Sequence, residues 1–135
     1  MILVDAGPLV ALLHDDDKHH AVCRKTLTSL REPLATVWPP IVEAMDLLGF
    51  SGKAQDALLE MVESGTLALL PLEPADAPRL RDLMNKYRDL PMDLADAALV
   101  CVAEKERIGR VFTLDRRDFE VYRPRGIGRF SVLPS

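Results

Sequence analysis

The sequence is poor in cysteine and has no long apolar run. Its two cysteines, Cys23 and Cys101, lie among apolar neighbours in helical patterns, so we expect core residues rather than a disulfide or metal ligands. No apolar run approaches the roughly 20 residues of a membrane span. The N-terminus lacks the basic segment and the small-residue cleavage site of a signal peptide, so a cytoplasmic protein is expected.

A glycine-rich phosphate loop is also missing. The first apolar run is followed by Asp5-Ala6-Gly7-Pro8-Leu9, which does not supply the Gly-x-Gly-x-x-Gly turn of a dinucleotide-binding protein. A phosphoaspartate enzyme or receiver would pair such an aspartate with a lysine on a later strand. The late strand of this chain offers Thr113 and Asp115 instead. Both classes are therefore disfavoured, and the sequence shows no internal repeat or linker.

The net charge of −4 conceals an asymmetry along the chain. Residues 1–106 carry 10 basic and 18 acidic side chains, whereas residues 107–135 carry seven arginines against three acids. An arginine-rich segment beside an acidic body fits a polyanion or an acidic partner that meets one face, and it equally fits a solvated surface.

Apolar strands alternate with amphipathic helices along the chain. The predicted strands are Ile2–Asp5, Leu34–Trp38, Thr66–Leu72, Arg110–Asp115 and Phe130–Leu133. The predicted helices cover about His19–Leu30, a segment after Trp38-Pro39-Pro40, Lys53–Ser64, Ala75–Leu90 and Asp93–Arg107. This alternation predicts an α/β protein with a parallel sheet covered on both faces.

Four acids lie where apolar segments stop or helices begin. Asp5 and Asp115 end apolar strands, and in a parallel sheet both emerge at the same edge. Asp96 lies in a first helical turn, one turn after Asp93, and small alanines follow it. Asp93 itself fits a helix cap. Glu43 points away from the apolar stripe of its helix, so it faces either solvent or a crevice.

Clustered carboxylates repel one another unless a cation joins them. At ~4 Å and an effective dielectric constant of ~20, each pair of like charges costs about 4 kcal/mol. A divalent cation removes this cost, and ligands that are all oxygen favour Mg²⁺ or Mn²⁺ over zinc. His14, His19 and His20 lie beside Asp15-Asp16-Asp17, where a solvated helix start is a simpler interpretation than a transition-metal site.

The order and spacing of these motifs resemble those of the PIN-domain family, most closely the VapC-type ribonuclease toxins. The resemblance covers essentially the whole chain and is carried by Asp5 after its strand, the helical Glu43, Met92-Asp93-Leu94-Ala95-Asp96-Ala97, and Phe112-Thr113-Leu114-Asp115 with Asp118-Phe119. It implies a single PIN-like domain over residues 1–135, with three α/β/α layers around a mainly parallel sheet of four to five strands.

The resemblance also implies a function and site roles. Asp5 and Asp96 would be the principal ligands of Mg²⁺ or Mn²⁺, and Glu43 and Asp115 would complete the catalytic pocket. Asp93, Thr113 and Asp118 would support these ligands, and Arg116 and Arg117 would contact RNA phosphates. The implied reaction is hydrolysis of RNA by a metal-activated water, leaving 5′-phosphate and 3′-hydroxyl ends. One departure is Ala6-Gly7, where the family often has a hydroxyl or amide residue.

Further expectations concern partners. A VapC-type toxin implies a cognate antitoxin and a homodimer, and nothing in the sequence implies a membrane partner. The alternative is a PIN-like protein that is not a toxin and acts in RNA processing or through non-catalytic protein contacts. Because all four principal acids are present, a catalytic role is the more economical interpretation.

Overall fold

Five short strands form one fully parallel sheet in the computed structural model, which describes residues 1–135. The strands are β1 (Ile2–Val4), β2 (Leu34–Thr36), β3 (Leu67–Leu69), β4 (Arg110–Phe112) and β5 (Ser131–Leu133). Their order in the sheet is β3-β2-β1-β4-β5. The predicted parallel sheet is therefore confirmed, and it has five strands.

Seven α-helices connect or follow these strands. They are α1 (Ala6–Leu13), α2 (His20–Ser29), α3 (Trp38–Leu47), α4 (Gly52–Ser64), α5 (Ala77–Lys86), α6 (Leu94–Glu106) and α7 (Arg116–Val121). A short 3₁₀ helix, Pro74–Asp76, precedes α5. None of these helices is both long enough and apolar enough to cross a membrane.

Alternate strand residues face two separate apolar cores, which confirms the three-layer α/β/α architecture. Leu3 and Val111 belong to a core shared with α5, α6 and α7. Val4 and Phe112, one residue further along each strand, belong to a core shared with α1, α2, α3 and α4. This is the alternation that a strand covered on both faces requires. Each core also contains one of the two predicted buried cysteines.

The direction of chain progression reverses at the central strand β1. From β1 the chain builds β2 and β3 on one side, and it later adds β4 and β5 on the other. The backbone N–H of Asp5 donates to the carbonyl of Phe112 at 2.9 Å, which joins the ends of β1 and β4. A crevice outside the carboxyl ends of two strands at such a reversal is where open α/β sheets bind ligands.

Several predicted boundaries were wrong. Helix α1 begins directly after Asp5, so Gly7 and Pro8 lie in its first turns rather than in a separate turn. Pro39 does not stop a strand but occupies the start of α3, where its missing N–H is not needed. Helix α6 ends at Glu106, and Arg107, its C-cap, adopts the left-handed conformation with φ of 56°.

Candidate active site

Asp5 connects the end of β1 to the start of α1. Its Oδ1 accepts the backbone N–H of Ala6 at 2.8 Å, and its Oδ2 accepts the hydroxyl of Thr113 at 2.8 Å. The side chain is only 4% exposed. Burial raises the pKa of Asp5 to about 6, although both hydrogen bonds oppose the shift, and the charges of Asp115 and Asp93 raise the pKa further. Asp5 is therefore a buried carboxylate with neutral donors only.

Asp96 lies in the first turn of α6, where the sequence places it. Asp93 caps this helix, since its Oδ1 accepts the backbone N–H of Asp96 at 2.9 Å. Asp96 is 8% exposed, and its Oδ2 accepts the hydroxyl of Tyr122 at 2.7 Å. Burial raises the pKa of Asp96 to about 8, and the charges of Asp5, Asp93 and Asp115 contribute to the increase.

Glu43 and Asp115 are exposed but lie within electrostatic reach of the buried pair. Partial burial raises the pKa of Glu43 most, followed by the charges of Asp5, Asp93 and Asp115. Partial burial also raises the pKa of Asp115, with contributions from Asp118 and Asp93. Glu43 thus faces the crevice that holds the aspartates, which is one of the two orientations that its sequence position allowed.

No cation neutralises this acidic pocket, by which we mean Asp5, Glu43, Asp96 and Asp115. None of these four residues takes part in any of the ion pairs of the structure. Every charge that shifts their pKa values belongs to another carboxylate. Uncompensated like charges favour a bound cation, and an all-oxygen donor set matches Mg²⁺ or Mn²⁺.

The pocket nevertheless lacks a finished coordination geometry. No three His, Cys, Asp or Glu side chains are arranged in a way that could hold a metal ion. The four carboxylates therefore share an electrostatic environment, but they do not converge on a single point.

Thr113 connects two parts of the pocket. Its hydroxyl donates to Asp5 and accepts the backbone N–H of Asp115 at 3.0 Å. The hydroxyl is fully used, and the side chain is 1% exposed. Asp118, on the first turn of α7, contributes charge near Asp115. Thr113 therefore contacts both Asp5 and Asp115, and Asp118 lies near Asp115.

Arg116 and Arg117, the two predicted phosphate contacts, differ in whether their guanidinium groups are free to bind a ligand. The guanidinium of Arg116 donates to Glu120 at 2.6 Å and to the carbonyls of Val132 and Pro134 at 3.0 and 2.6 Å. Arg116 thus fastens α7 to the C-terminal segment. Arg117 is exposed and forms neither a hydrogen bond nor an ion pair within the chain, so its guanidinium is free for a ligand.

The sequence analysis missed Tyr122, the hydroxyl partner of Asp96. Helix α7 itself was not predicted, because its six residues are too few to show a period and four of them are charged. The available signal was Phe119 and Tyr122 at a spacing of three, two aromatic residues on one face of a short charged segment.

The sheet reversal, the buried aspartates and the absence of a counter-charge define the class of protein: an α/β/α protein with an acidic crevice suited to a divalent cation. A family model for the PIN domain matches residues 2–123. Ribonuclease VapC26 of Mycobacterium tuberculosis is 31% identical over 136 aligned positions, which cover 98% of this chain and 100% of VapC26.

Two solved structures share the fold. The crystal structure of Mycobacterium tuberculosis VapC20, described as a sarcin–ricin loop cleaving toxin, has a TM-score of 0.75 and 17% identity. The match covers 82% of this chain and 87% of VapC20. A toxin–antitoxin complex from Klebsiella pneumoniae has a TM-score of 0.64 and 19% identity, over 88% and 90% of the two chains. The chain belongs to the PIN-domain family, and within it to the VapC type.

The raised pKa values of the buried pair predict an unusual pH dependence of stability. An unfolded aspartate titrates near pH 4, whereas folded Asp5 titrates at about 6 and Asp96 at about 8. Between about pH 4 and pH 8 the folded protein therefore binds more protons than the unfolded chain, so stability falls as pH rises through this window. We expect the protein in EDTA to melt at a higher temperature at pH 5 than at pH 8.

Differential scanning calorimetry with Asp96→Asn checks this expectation. The variant cannot ionise at position 96, so its melting temperature should vary less between pH 5 and pH 8. Asp56→Asn, which alters an exposed acid on α4, is the matched control and should follow the unaltered protein. A melting temperature that rises with pH in all three proteins would contradict the raised pKa values.

Proposed function

We propose that the protein is a Mg²⁺- or Mn²⁺-dependent endoribonuclease and the toxin of a type II toxin–antitoxin pair. The observation that carries the proposal is the acidic pocket at the sheet reversal, with two buried carboxylates and no counter-charge. The similarity to Ribonuclease VapC26 over the full length of both chains supports RNA as the substrate. A binding module would gain nothing from burying Asp5 and Asp96 beside other acids.

The proposal assigns a role to each acid. Asp5 and Asp96 hold the ion, because they are buried, oriented and unneutralised. Glu43 and Asp115 complete the pocket from its exposed side, where an RNA strand can enter. When bound, the ion supplies Lewis acidity and an activated water for hydrolysis of the phosphodiester.

Neighbouring residues position the acids and the substrate. Thr113 orients Asp5 and fixes the backbone before Asp115. Asp93 caps α6 and so fixes Asp96, and Asp118 adds negative charge beside Asp115. Arg117 contacts a backbone phosphate, to which its fork of donors is suited. Arg116 has a lesser part in RNA binding, because its donors are occupied within the chain.

The proposed partners follow from the family. The protein would act as one PIN-like domain in the cytoplasm, cut RNA there and be inhibited by a cognate antitoxin. The toxin–antitoxin complex from Klebsiella pneumoniae, which shares the fold, supports such a partner. A homodimer is also part of the proposal. Its support is the apolar surface at the start of α3, where Trp38 and Val42 lie one turn apart and are each more than half exposed.

Purified protein should cleave RNA with Mg²⁺ or Mn²⁺ and lose this activity in EDTA. Asp5→Asn and Asp96→Asn should each reduce the rate by at least about 100-fold, because loss of a direct ligand exceeds the 10- to 100-fold effect of an outer partner. Asp56→Asn should cleave normally. The measurement is the cleavage of transfer, ribosomal and messenger RNA, resolved on gels. Unimpaired cleavage by the two pocket variants, or an inert parent in every metal, would refute the proposal.

Arg117→Ala should weaken RNA binding more than Arg116→Ala does. Loss of one phosphate contact should lower the slope of log affinity against log salt by about 0.7–1, whereas loss of an internally bonded arginine should leave the slope unchanged. Binding to single-stranded RNA is measured by anisotropy in EDTA, across a range of salt concentrations. Equal slopes for Arg117→Ala and the parent would remove Arg117 from the RNA-binding surface.

Co-expression with the product of an adjacent small gene tests the toxin assignment. The two proteins should co-purify as a stable complex, and RNA cleavage by the complex should be at least about 10-fold slower than by the free protein, since an inhibitor must occupy most of the sites to protect a cell. A complex that cleaves as fast as the free protein, or no complex at all, would favour a PIN-like nuclease outside a toxin–antitoxin pair.

A further inference from the structure

Tyr122 is a buried tyrosine whose ring is held in place by other aromatic rings. It follows α7 directly and has no exposed surface. Its ring packs edge-on against Tyr87, with centroids 5.0 Å apart, and against Phe119, with centroids 5.1 Å apart. Such edge-to-face contacts fix both the place and the tilt of a ring. The direction of the Tyr122 hydroxyl is therefore set by packing.

The hydroxyl of Tyr122 determines which oxygen of Asp96 faces the crevice. It donates to Asp96 Oδ2 at 2.7 Å. Asp96 Oδ1 receives no hydrogen bond from the protein, yet the structure contains no buried side-chain oxygen without a partner. Oδ1 must therefore reach solvent at the crevice. One oxygen of the carboxylate is anchored from inside, and the other remains available to a ligand.

A tyrosine orients this carboxylate without neutralising it. An arginine or a lysine in the same place would hold Asp96 equally well but would cancel its charge. Asp5 is also oriented without being neutralised, because the hydroxyl of Thr113, a neutral group, donates to it. Neither buried carboxylate is paired with a cationic side chain, so each can give a full charge to a cation once it is deprotonated, and each has lost rotational freedom. Outer partners of this kind raise the affinity of a site by fixing its ligands.

We propose that Tyr122 is a positioning residue of the metal site, which holds Asp96 in the rotamer that binds the divalent ion. This inference rests on the metal-dependent function proposed above and deepens it. Tyr122 acts through Asp96 and does not itself touch the ion or the RNA. Because Tyr122 lies at one end of α7 and Asp115 at the other, one short helix supports the pocket at two points.

Tyr122→Phe removes only the hydroxyl and keeps the packing of the ring. Tyr87→Phe is the matched control, because the Tyr87 hydroxyl accepts the backbone N–H of Arg123 and touches no carboxylate. Titration calorimetry with Mn²⁺ should show affinity that is about 10- to 100-fold weaker for Tyr122→Phe and unchanged for Tyr87→Phe. RNA cleavage by Tyr122→Phe should fall at low Mn²⁺ and recover at saturating Mn²⁺, a separation that general damage to the fold would not produce.

Fluorine NMR provides a second test that does not require Tyr122→Phe to fold. The chain has two tyrosines, so 3-fluorotyrosine in the Tyr87→Phe background labels position 122 alone. Its resonance should shift on addition of Mg²⁺ and reach a plateau once the site is saturated. The proposed role of Tyr122 would be overturned if Tyr122→Phe bound Mn²⁺ as tightly as the unaltered protein does. It would also be overturned if the fluorine resonance did not shift on addition of Mg²⁺. Absence of Mn²⁺ binding by the unaltered protein would instead overturn the metal-dependent function itself.

Discussion

Repulsion between carboxylates at the end of β1 and at the start of α6 is the constraint on which the rest of this structure depends. Asp5 and Asp96 are buried near other acids, and the fold meets them only with backbone N–H groups and hydroxyls. Neutral donors fix the orientation of a carboxylate but leave its charge in place. Burial raises the pKa of Asp5 to about 6 and that of Asp96 to about 8, so protons relieve this unfavourable electrostatic energy up to neutral pH, and a divalent cation would relieve it by displacing them.

Tight packing around the crevice makes this arrangement possible. Ala97 and Ala98 are completely buried, so α6 lies close to the sheet directly after Asp96. On the other side of the crevice, a Cβ atom on Gly7 would lie 3.3 Å from the side chain of Leu114, tighter than most real contacts. A side chain at position 7 would therefore require the side chain of Leu114 to shift by a few tenths of an ångström.

The sequence predicts the structure where the signal lies in residues that are neighbours along the chain. The apolar run that ends in Asp5 predicts the end of β1, and the spacing of Asp93 and Asp96 predicts a shared first turn; the structure contains both. Strand β4, by contrast, ends at Phe112, three residues before Asp115. Other features depend on tertiary contacts. Arg116 is occupied by carbonyls of the C-terminal segment, and the hydroxyl of Tyr122 reaches Asp96 only in the folded chain. None of these pairings leaves a period or a motif in the chain.

The hydrogen bond between Asp5 and Thr113 joins residues 108 positions apart. Because β1 is the central strand and β4 is made late, a growing chain contains Asp5 and Glu43 well before it contains β4 and Thr113, which follows it. Pairing across such a separation also closes slowly. A nascent chain therefore lacks the assembled pocket until Thr113 and Tyr122 have left the ribosome.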